Sequence, residues 1–176
     1  KVGVSRRQIK TITYAWCYGA GDEKIGHSYD PQLSPVKAKK KGKEIRKAFV
    51  DAIPGMSDLL QAIDVAAKRG SVRSIDGRVI TLDSPHNSLI FLLQSSAGVI
   101  SRRCIAITHD NLNDLQICAS QLAYIHDELQ FESAPEHSEQ LARVLELSAA
   151  EAGEYYSLRV PIAAESKVGA NWSEVH

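Results

Sequence analysis

Residues 5–21 read SRRQIKTITYAWCYGAG, and this stretch predicts a helix with a defined beginning and end. Ser5 is a favourable helix N-cap, because its side-chain oxygen can accept a hydrogen bond from a free amide of the first turn. No Gly or Pro interrupts residues 6–18, whereas Gly19-Ala20-Gly21 stops the helical pattern. We therefore expect one helix over residues 6–18.

Four cationic or aromatic side chains recur every four residues along this helix: Arg6, Lys10, Tyr14 and Tyr18. A step of four residues rotates about 40° around a helix, so the four side chains follow one slowly turning stripe. Two cations followed by two phenols suit a triphosphate at one end and a sugar and base at the other. A solvated basic stripe that runs into two core tyrosines explains the same spacing, so the spacing alone leaves both interpretations open.

A second stretch, residues 122–131, reads LAYIHDELQF and places His126-Asp127-Glu128 between apolar residues. This pattern predicts a short β-hairpin with the carboxylates at or near its turn. Carboxylates on a rigid turn are suitable ligands for a hard cation such as Mg²⁺. An ordinary polar turn is the alternative.

The sequence of the rest of the chain predicts helices and antiparallel strands that occupy separate segments. This arrangement is typical of the α+β class. An all-helical lobe is expected up to about Lys68. The predicted elements are helices over residues 36–53, 56–68, 87–109 and 135–156, a hairpin within 71–83, connecting segments at 19–26 and 28–35, and a strand with a packed tail over 158–176.

Charge is distributed unevenly along the 176 residues, although 21 basic side chains balance 21 acidic ones. The first 50 residues carry 12 basic and four acidic side chains, a net charge of +8, and the other 126 carry nine basic and 17 acidic, a net charge of −8. This asymmetry suggests a cationic lobe that contacts a polyanion. Two solvated surfaces of opposite sign are the alternative. With 44% apolar residues, the chain is neither disordered nor collagen-like.

The longest unbroken apolar stretch, residues 89–93, is far shorter than the roughly 20 residues that cross a bilayer, so no membrane partner is expected. Three cysteines without CxxC spacing suit a reducing cytoplasm. Residue 1 is Lys and the only methionine is Met56, so we expect that an upstream part has been removed.

In this order, Arg6-x3-Lys10-x3-Tyr14-x3-Tyr18-Gly19 and His126-Asp127-Glu128 resemble the fingers helix and the palm motif of family A DNA polymerases, the DNA polymerase I family. The similarity is strongest to the replicative polymerases of T-seven-like podophages and covers essentially the whole chain. Further matching segments are GAGDEKIG (19–26), IDGR (75–78), SPH (84–86), LLQS (92–95), and the closing Asn171-Trp172 with His176.

The resemblance implies a helical fingers subdomain over residues 1–83, followed over residues 84–176 by part of an antiparallel-sheet polymerase palm. It implies template-directed DNA synthesis in phage replication, in which two Mg²⁺ ions assist transfer of a deoxynucleotide to a primer 3′ end. On the fingers helix, Arg6 and the catalytic Lys10 would bind the triphosphate. Tyr14 would lie against the sugar, and Tyr18 would lie at the base of the insertion site.

In the palm, the resemblance implies that Asp127 is a catalytic metal ligand with Glu128 beside it as a second carboxylate. Gln94 and His126 would contact the primer end and the minor groove of the DNA. Ile90-Phe91 stands where the family usually has Asn-Thr, which puts one primer or template contact in doubt. The lysine tract over residues 37–47 matches no motif, and it is either a template phosphate contact or a solvated helix face.

The family's other metal-binding aspartate lies in an upstream Asp-Tyr-Ser motif, and this tripeptide is absent from the sequence. We therefore expect this chain by itself to be inactive. The implied partners are primer-template DNA, a deoxynucleoside triphosphate (dNTP), the missing upstream part of the polymerase and a processivity factor on the absent thumb. The expected location is the cytoplasm of the phage's bacterial host.

Two alternatives to the DNA polymerase remain open at this point. A single-subunit phage-type RNA polymerase shares Arg-x3-Lys-x7-Tyr-Gly and a His-Asp palm motif, but Tyr14 and Glu128 favour the DNA enzyme. A non-catalytic DNA-binding fragment is the other, and the absent aspartate supports it.

Overall fold

The computed structural model describes residues 5–175, and in this range it contains seven α-helices and two antiparallel hairpins. The predicted α+β class is confirmed. The helices are α1 (Arg6–Cys17), α2 (Asp22–Tyr29), α3 (Pro35–Ala52), α4 (Met56–Lys68), α5 (Ser88–Asp114), α6 (Ser138–Tyr155) and α7 (Trp172–Val175); the strands are β1 (Ser71–Arg73), β2 (Val79–Thr81), β3 (Ala119–Ile125) and β4 (Glu128–Ser133).

The chain divides into two compact units, the first ending at Ser95 and the second beginning at Ser96. This division falls within α5, because the first turn of α5 packs into the first unit through Leu89. The subdomain boundary between residues 83 and 84 stays a prediction.

The core of the first unit holds α1 in place by one of its faces. Ile12 and Trp16 of α1 are buried together with Ile25 of α2. The ring of Trp16 packs against Phe49 of α3, with the ring centroids 4.8 Å apart. At the start of α1, Ser5 and Gln8 form a reciprocal capping box, which explains why the helix begins where the sequence predicts.

Residues 22–26, predicted as part of a connector, instead form the beginning of α2, so that prediction is wrong after Gly21. Asp22 and Glu23 favour a helix start because their charges lie at the positive end of the helix dipole. Gly26 lies inside the helix because α2 and α3 approach so closely there that a side chain would overlap the backbone of Ala38. The packing therefore requires the glycine that looks like a turn signal in the sequence.

The second unit is built on the β3–β4 hairpin, α6 and the rest of α5. Two buried clusters support it: Leu112, Ile117, Leu141 and Val144 form one, and Cys104, Ala149 and Ala152 form the other. Phe131 of β4 packs against the first cluster and Leu129 against the second. Strand β4 of the hairpin is thus fixed on a helical base.

The final strand that the sequence predicts is absent from residues 158–175, where the structure has an irregular segment followed by the short helix α7. This segment runs along α6, and Ile162 packs against Gly153. The backbone amide of Ser166 donates to Glu146 Oε1 at 2.9 Å, and its hydroxyl donates to the Ala142 carbonyl at 3.1 Å. Contacts with α6 therefore take the place of strand pairing.

Helix α5 extends to Asp114, five residues beyond its predicted end. By length and composition alone, the segment Pro85–Asp114 is long and apolar enough to span a membrane. Val99, Cys104 and Leu112 of α5 are buried inside the protein, and 11% of the most apolar window of this segment is buried.

Candidate functional site

The exposed face of α1 carries the four residues that the sequence singles out. Ile12 and Trp16 take the opposite face into the core, which leaves Arg6 and Lys10 exposed to solvent. Tyr14 and Tyr18 are 56% and 55% exposed, so the alternative that they are core tyrosines is wrong. The stripe of two cations and two phenols is therefore accessible along its whole length.

Lys10 and Tyr14 are in contact along this stripe, because the Lys10 ammonium nitrogen lies 5.9 Å from the centre of the Tyr14 ring. This is a cation–π distance, and an exposed pair of this kind contributes about 0.5–1 kcal/mol. Neither Arg6 nor Lys10 has a carboxylate partner among the described residues. Their charges are thus available to an anionic ligand.

At the other end of the stripe, Tyr18 is held by Gln94 of α5. The Gln94 side-chain amide donates a hydrogen bond to the Tyr18 hydroxyl over 2.8 Å. The next residue, Gly19, has φ +71° and turns the chain beside His86, where a side chain would come within 2.8 Å of the His86 carbonyl oxygen. The two predicted site residues Gln94 and Tyr18 are therefore brought together.

The second predicted group, His126-Asp127-Glu128, lies at the tip of the β3–β4 hairpin. Ile125 pairs with Glu128, which leaves His126 and Asp127 as the two residues of the turn. His126 has φ +57°, a left-handed conformation that is uncommon for a residue with a side chain. Backbone strain of this kind costs about 1–3 kcal/mol and occurs preferentially at functional sites.

The carboxylates at this tip differ in their surroundings. Asp127 is exposed, and within residues 5–175 its carboxylate has no hydrogen-bond or ion-pair partner. Glu128 is half-buried and accepts a hydrogen bond from the Gln130 side chain. Oxygen donors on a fixed turn fit a hard cation such as Mg²⁺. The described residues contain no group of three His, Cys, Asp or Glu side chains gathered around one point, so these two carboxylates would form part of a metal site.

The structure thus places the predicted residues in two groups, the α1 stripe with Gln94 in the first unit and the hairpin tip in the second. Tyr29 lies in a segment that the sequence predicts to be a loop. In the structure Tyr29 ends α2 and lines an open cleft with Lys37, Lys40 and Lys41 of α3. Its position depends on the packing of α2 against α3, which no local sequence pattern indicates.

The sequence that carries the α1 stripe and the hairpin tip matches a known protein family. The family model described as DNA polymerase family A matches residues 3–174. This chain belongs to DNA polymerase family A. The match includes the α1 stripe and the hairpin tip, and it favours the DNA enzyme over the single-subunit RNA polymerase considered above.

Curated relatives in family A include phage and bacterial enzymes. The chain is 32% identical to the DNA-directed DNA polymerase of Enterobacteria phage T3 and 30% identical to that of Escherichia phage T7. In each case 98% of this chain aligns with 27% of the relative. It is also 29% identical to DNA polymerase I of Mycobacterium bovis, over 97% of this chain and 19% of that protein. The chain therefore spans about a quarter or less of the length of these relatives.

A solved structure shows the same fold. The polymerase domain of Pol1 from M. smegmatis, in complex with DNA primer-template and dNTP, superposes with a TM-score of 0.74 at 24% sequence identity. The superposition covers 89% of this chain and 28% of that one. The α+β architecture is therefore that of part of a family A polymerase domain.

Proposed function

We propose that this chain supplies the fingers helices and the catalytic hairpin of a polymerase that copies a DNA template. In the complete enzyme, the primer 3′-hydroxyl attacks the α-phosphate of a dNTP, the bond to the β-phosphate breaks, and pyrophosphate leaves. The observation that carries the proposal is the family A match over residues 3–174, which includes both the α1 stripe and the hairpin tip.

The α1 stripe would bind the nucleotide. Arg6 and Lys10 are exposed and lack carboxylate partners among the described residues, so they would neutralise the triphosphate. Lys10 would also stabilise the negative charge that develops on the leaving pyrophosphate, which is why we assign it a catalytic role. Tyr14 would lie against the sugar, and Tyr18 beside the base of the insertion site.

The hairpin tip would hold the reacting end of the primer. Asp127 and Glu128 would be the ligands for Mg²⁺, with further ligands supplied by the part of the polymerase outside this chain. When bound, the ion lowers the pKa of the primer hydroxyl and stabilises charge on the phosphoryl oxygens. His126 and Gln94 would contact the primer end and the minor groove. All correct base pairs present hydrogen-bond acceptors in the minor groove. Contact with these atoms therefore tests the shape of the base pair without distinguishing its sequence.

The partners of this proposal are primer-template DNA, a dNTP and the remainder of the polymerase, and a processivity factor would bind the thumb. The proposed location is the cytoplasm of the phage's host, and the three free cysteines support it.

Primer extension by the complete polymerase that contains this segment tests the function. Asp127→Asn should lower the rate of nucleotide addition by several orders of magnitude and leave duplex binding nearly unchanged. Asp64→Asn is the matched control, because Asp64 is an exposed aspartate of α4 and should not affect extension. Near-normal extension by Asp127→Asn would refute the palm assignment.

The second candidate, a DNA-binding fragment without catalysis, applies to the 176-residue chain by itself. We expect this chain to bind DNA weakly and to extend no primer, since only two metal-binding carboxylates are proposed within it. Incorporation of labelled nucleotide by the purified chain above a no-protein control would show that its own carboxylates suffice.

A further inference from the structure

Strand β4 directs its side chains alternately to two faces, and this alternation places Glu128 and Gln130 on the same face. Leu129, which lies between them, packs against the buried cluster that contains Cys104. Phe131 packs against the other buried cluster of the second unit. Glu128 and Gln130 therefore lie on the face of β4 that points away from this helical base.

The two side chains are in contact along this face. The Gln130 side-chain amide donates a hydrogen bond to Glu128 Oε1. The residue opposite Gln130 in the hairpin is Ala123. Because residues opposite each other in a hairpin share a face, the short side chain of Ala123 leaves space for the longer amide to extend along its own strand.

A β-bulge in β3 produces this pairing. The register shifts between Gln121 and Ala123, and an unshifted ladder would place the larger side chain of Leu122 opposite Gln130. The same shift pairs Ile125 with Glu128 and so makes the turn two residues long. Bulges occur preferentially beside active sites, where they change the direction of a side chain. The irregularity of β3 therefore serves the contact between Gln130 and Glu128.

Gln130 is held in place more firmly than the carboxylate that it contacts. Its neighbours Leu129 and Phe131 are packed into the two clusters, so the backbone at Gln130 is fixed on both sides. Glu128 adjoins the turn, where His126 has a strained left-handed backbone. The Gln130 amide is therefore a fixed donor that limits the orientations open to the Glu128 carboxylate.

An amide is a suitable partner for a carboxylate that also binds a cation. Glu128 is half-buried, and a charge in such a place needs hydrogen bonds to offset its loss of water. A cationic side chain would meet this need but would repel a metal ion, whereas the amide has no net charge. An ionised carboxylate can accept about four hydrogen bonds, so the bond from Gln130 is compatible with a metal ion on the same group.

We propose that Gln130 is a positioning residue that orients the Glu128 carboxylate for the metal ion. The inference rests on the proposed function, in which Glu128 is a ligand for Mg²⁺. Asp127, the other ligand of that proposal, has no hydrogen-bond partner within residues 5–175 and turns toward an ion without restraint. Glu128 is instead oriented before the ion binds, which reduces the side-chain freedom that is lost on binding.

Mn²⁺ binding, measured by electron paramagnetic resonance of the free ion, tests this role without catalysis. The sample is the complete polymerase on primer-template DNA without dNTP. Gln130→Met keeps the length of the side chain and removes the donor, and it should weaken Mn²⁺ binding by about ten- to a hundredfold. Gln140→Met is the matched control, because Gln140 is an exposed glutamine of α6 in the same unit. Equal Mn²⁺ binding by the two variants would overturn the inference.

A double-mutant cycle shows whether Gln130 acts through Glu128. The double variant Glu128→Gln, Gln130→Met should bind Mn²⁺ no more weakly than Glu128→Gln alone, because the group that Gln130 orients is already lost. A further loss in the double variant, equal to the loss that Gln130→Met causes in the wild type, would show that Gln130 acts by another route. That result would contradict the positioning role.

Primer extension across a Mg²⁺ series separates positioning from a general effect on the fold. Gln130→Met should raise the half-saturating Mg²⁺ concentration and should extend at nearly the wild-type rate when Mg²⁺ is saturating, because both carboxylates are still present. A rate lowered by the same factor at every Mg²⁺ concentration would indicate a structural role and refute the inference. Circular dichroism of each variant verifies that its fold is retained.

Failure of this inference is distinguishable from failure of the proposed function. If Asp127→Asn abolishes extension while Gln130→Met binds Mn²⁺ like the wild type, the role of Gln130 is wrong and the polymerase function stands. If Glu128→Gln binds Mn²⁺ like the wild type, Glu128 is no ligand, and the inference fails together with that part of the metal assignment. If Asp127→Asn extends primers normally, the proposed function itself is wrong.

Discussion

Gly26 of α2 and Ala38 of α3 meet backbone to backbone, with no space for a side chain between them. One turn away, Gly42 of α3 approaches the backbone of Asp22 in the same way. Arg46 fastens this end of the crossing, since its guanidinium donates to the Asp22 carboxylate and to the Ala20 carbonyl at 2.7 Å each. The crossing fixes α2, and with it the turn that follows α1.

Gly26→Ala should therefore destabilise the protein, although alanine is the better helix former. Overpacking a close contact costs about 1–3 kcal/mol or more, against about 1 kcal/mol gained in helix propensity. Urea unfolding followed by circular dichroism measures the difference. Gly98→Ala in α5 is the control, because its added methyl group has space, and it should be neutral or stabilising by up to about 1 kcal/mol. Equal stability of the two variants would contradict the close crossing.

Lys10→Ala in the complete polymerase should lower kcat/KM for the incoming dNTP, and Arg6→Ala should act in the same direction. A hydrogen bond to a charged group is worth about 1.5–3 kcal/mol, or about ten- to 150-fold. Arg7→Ala removes an equal charge from the same turn but from another face of α1, and should have a small effect. Single-turnover kinetics with limiting nucleotide provides the comparison. A larger loss for Arg7→Ala than for Lys10→Ala would place the triphosphate on a different face.

Tyr14→Phe should restore discrimination against dideoxynucleotides with little change in normal nucleotide use. The resemblance to family A implies that the Tyr14 hydroxyl replaces the hydrogen bonding lost when a nucleotide lacks its 3′-oxygen. Such a bond is worth about 1–3 kcal/mol, or about ten- to a hundredfold in selectivity. Competition between normal and dideoxy nucleotides measures the ratio, with Tyr155→Phe as an exposed control. If the tyrosine enzyme already rejects dideoxynucleotides a thousandfold, Tyr14 does not face the sugar.

His126→Gly should raise stability or leave it unchanged, and it should lower polymerase activity. Glycine adopts the left-handed conformation of this turn without strain, whereas the imidazole that would contact the primer is lost. The expected gain is at most about 1–3 kcal/mol in urea unfolding. His126→Ala serves as the comparison, because it removes the imidazole and keeps the strain. A destabilised His126→Gly would show that the side chain is structural.

Burial raises the pKa of the Cys104 thiol above its usual value near 9. The folded state therefore holds this proton more tightly than the unfolded state, and the resulting stability is present at neutral pH and lost as pH rises through the folded value. The stability difference between wild type and Cys104→Ala should shrink when urea unfolding is repeated at about pH 10. If this stability difference stays constant between the two pH values, the Cys104 thiol has the same pKa in the folded and the unfolded state.

The elements with strong local signals were predicted correctly from the sequence. The α4 helix lies over Met56–Lys68, as predicted from Pro54-Gly55 before it and Arg69-Gly70 after it. The β3–β4 hairpin has its two-residue turn at His126-Asp127, where the sequence places the carboxylates. In both cases the residues that decide the structure are neighbours in the chain.

Predictions failed where distant residues decide the structure. Gly26 is a turn signal in the local sequence, but in the structure it lies inside α2. A glycine is needed there because the backbone of Ala38 in α3 leaves no space for a side chain. The residues after Tyr156 are typical of a strand, but no strand lies beside them. Instead, Glu146 of α6 accepts a hydrogen bond from the backbone amide of Ser166. Of the site, the α1 stripe follows from helical spacing, whereas the Gln94–Tyr18 contact joins residues 76 positions apart and has no local signal.

Gly19 combines a left-handed backbone with the carbonyl of His86 where its side chain would stand. The left-handed backbone disfavours residues with a side chain, and the His86 carbonyl leaves no space for even a methyl group. A residue that tolerates only one of these two conditions would therefore not fit at position 19. In a library with random codons at position 19, selection for the folded first unit should return glycine. The orientation of the exposed Tyr18 ring therefore depends on a neighbour that has no side chain of its own.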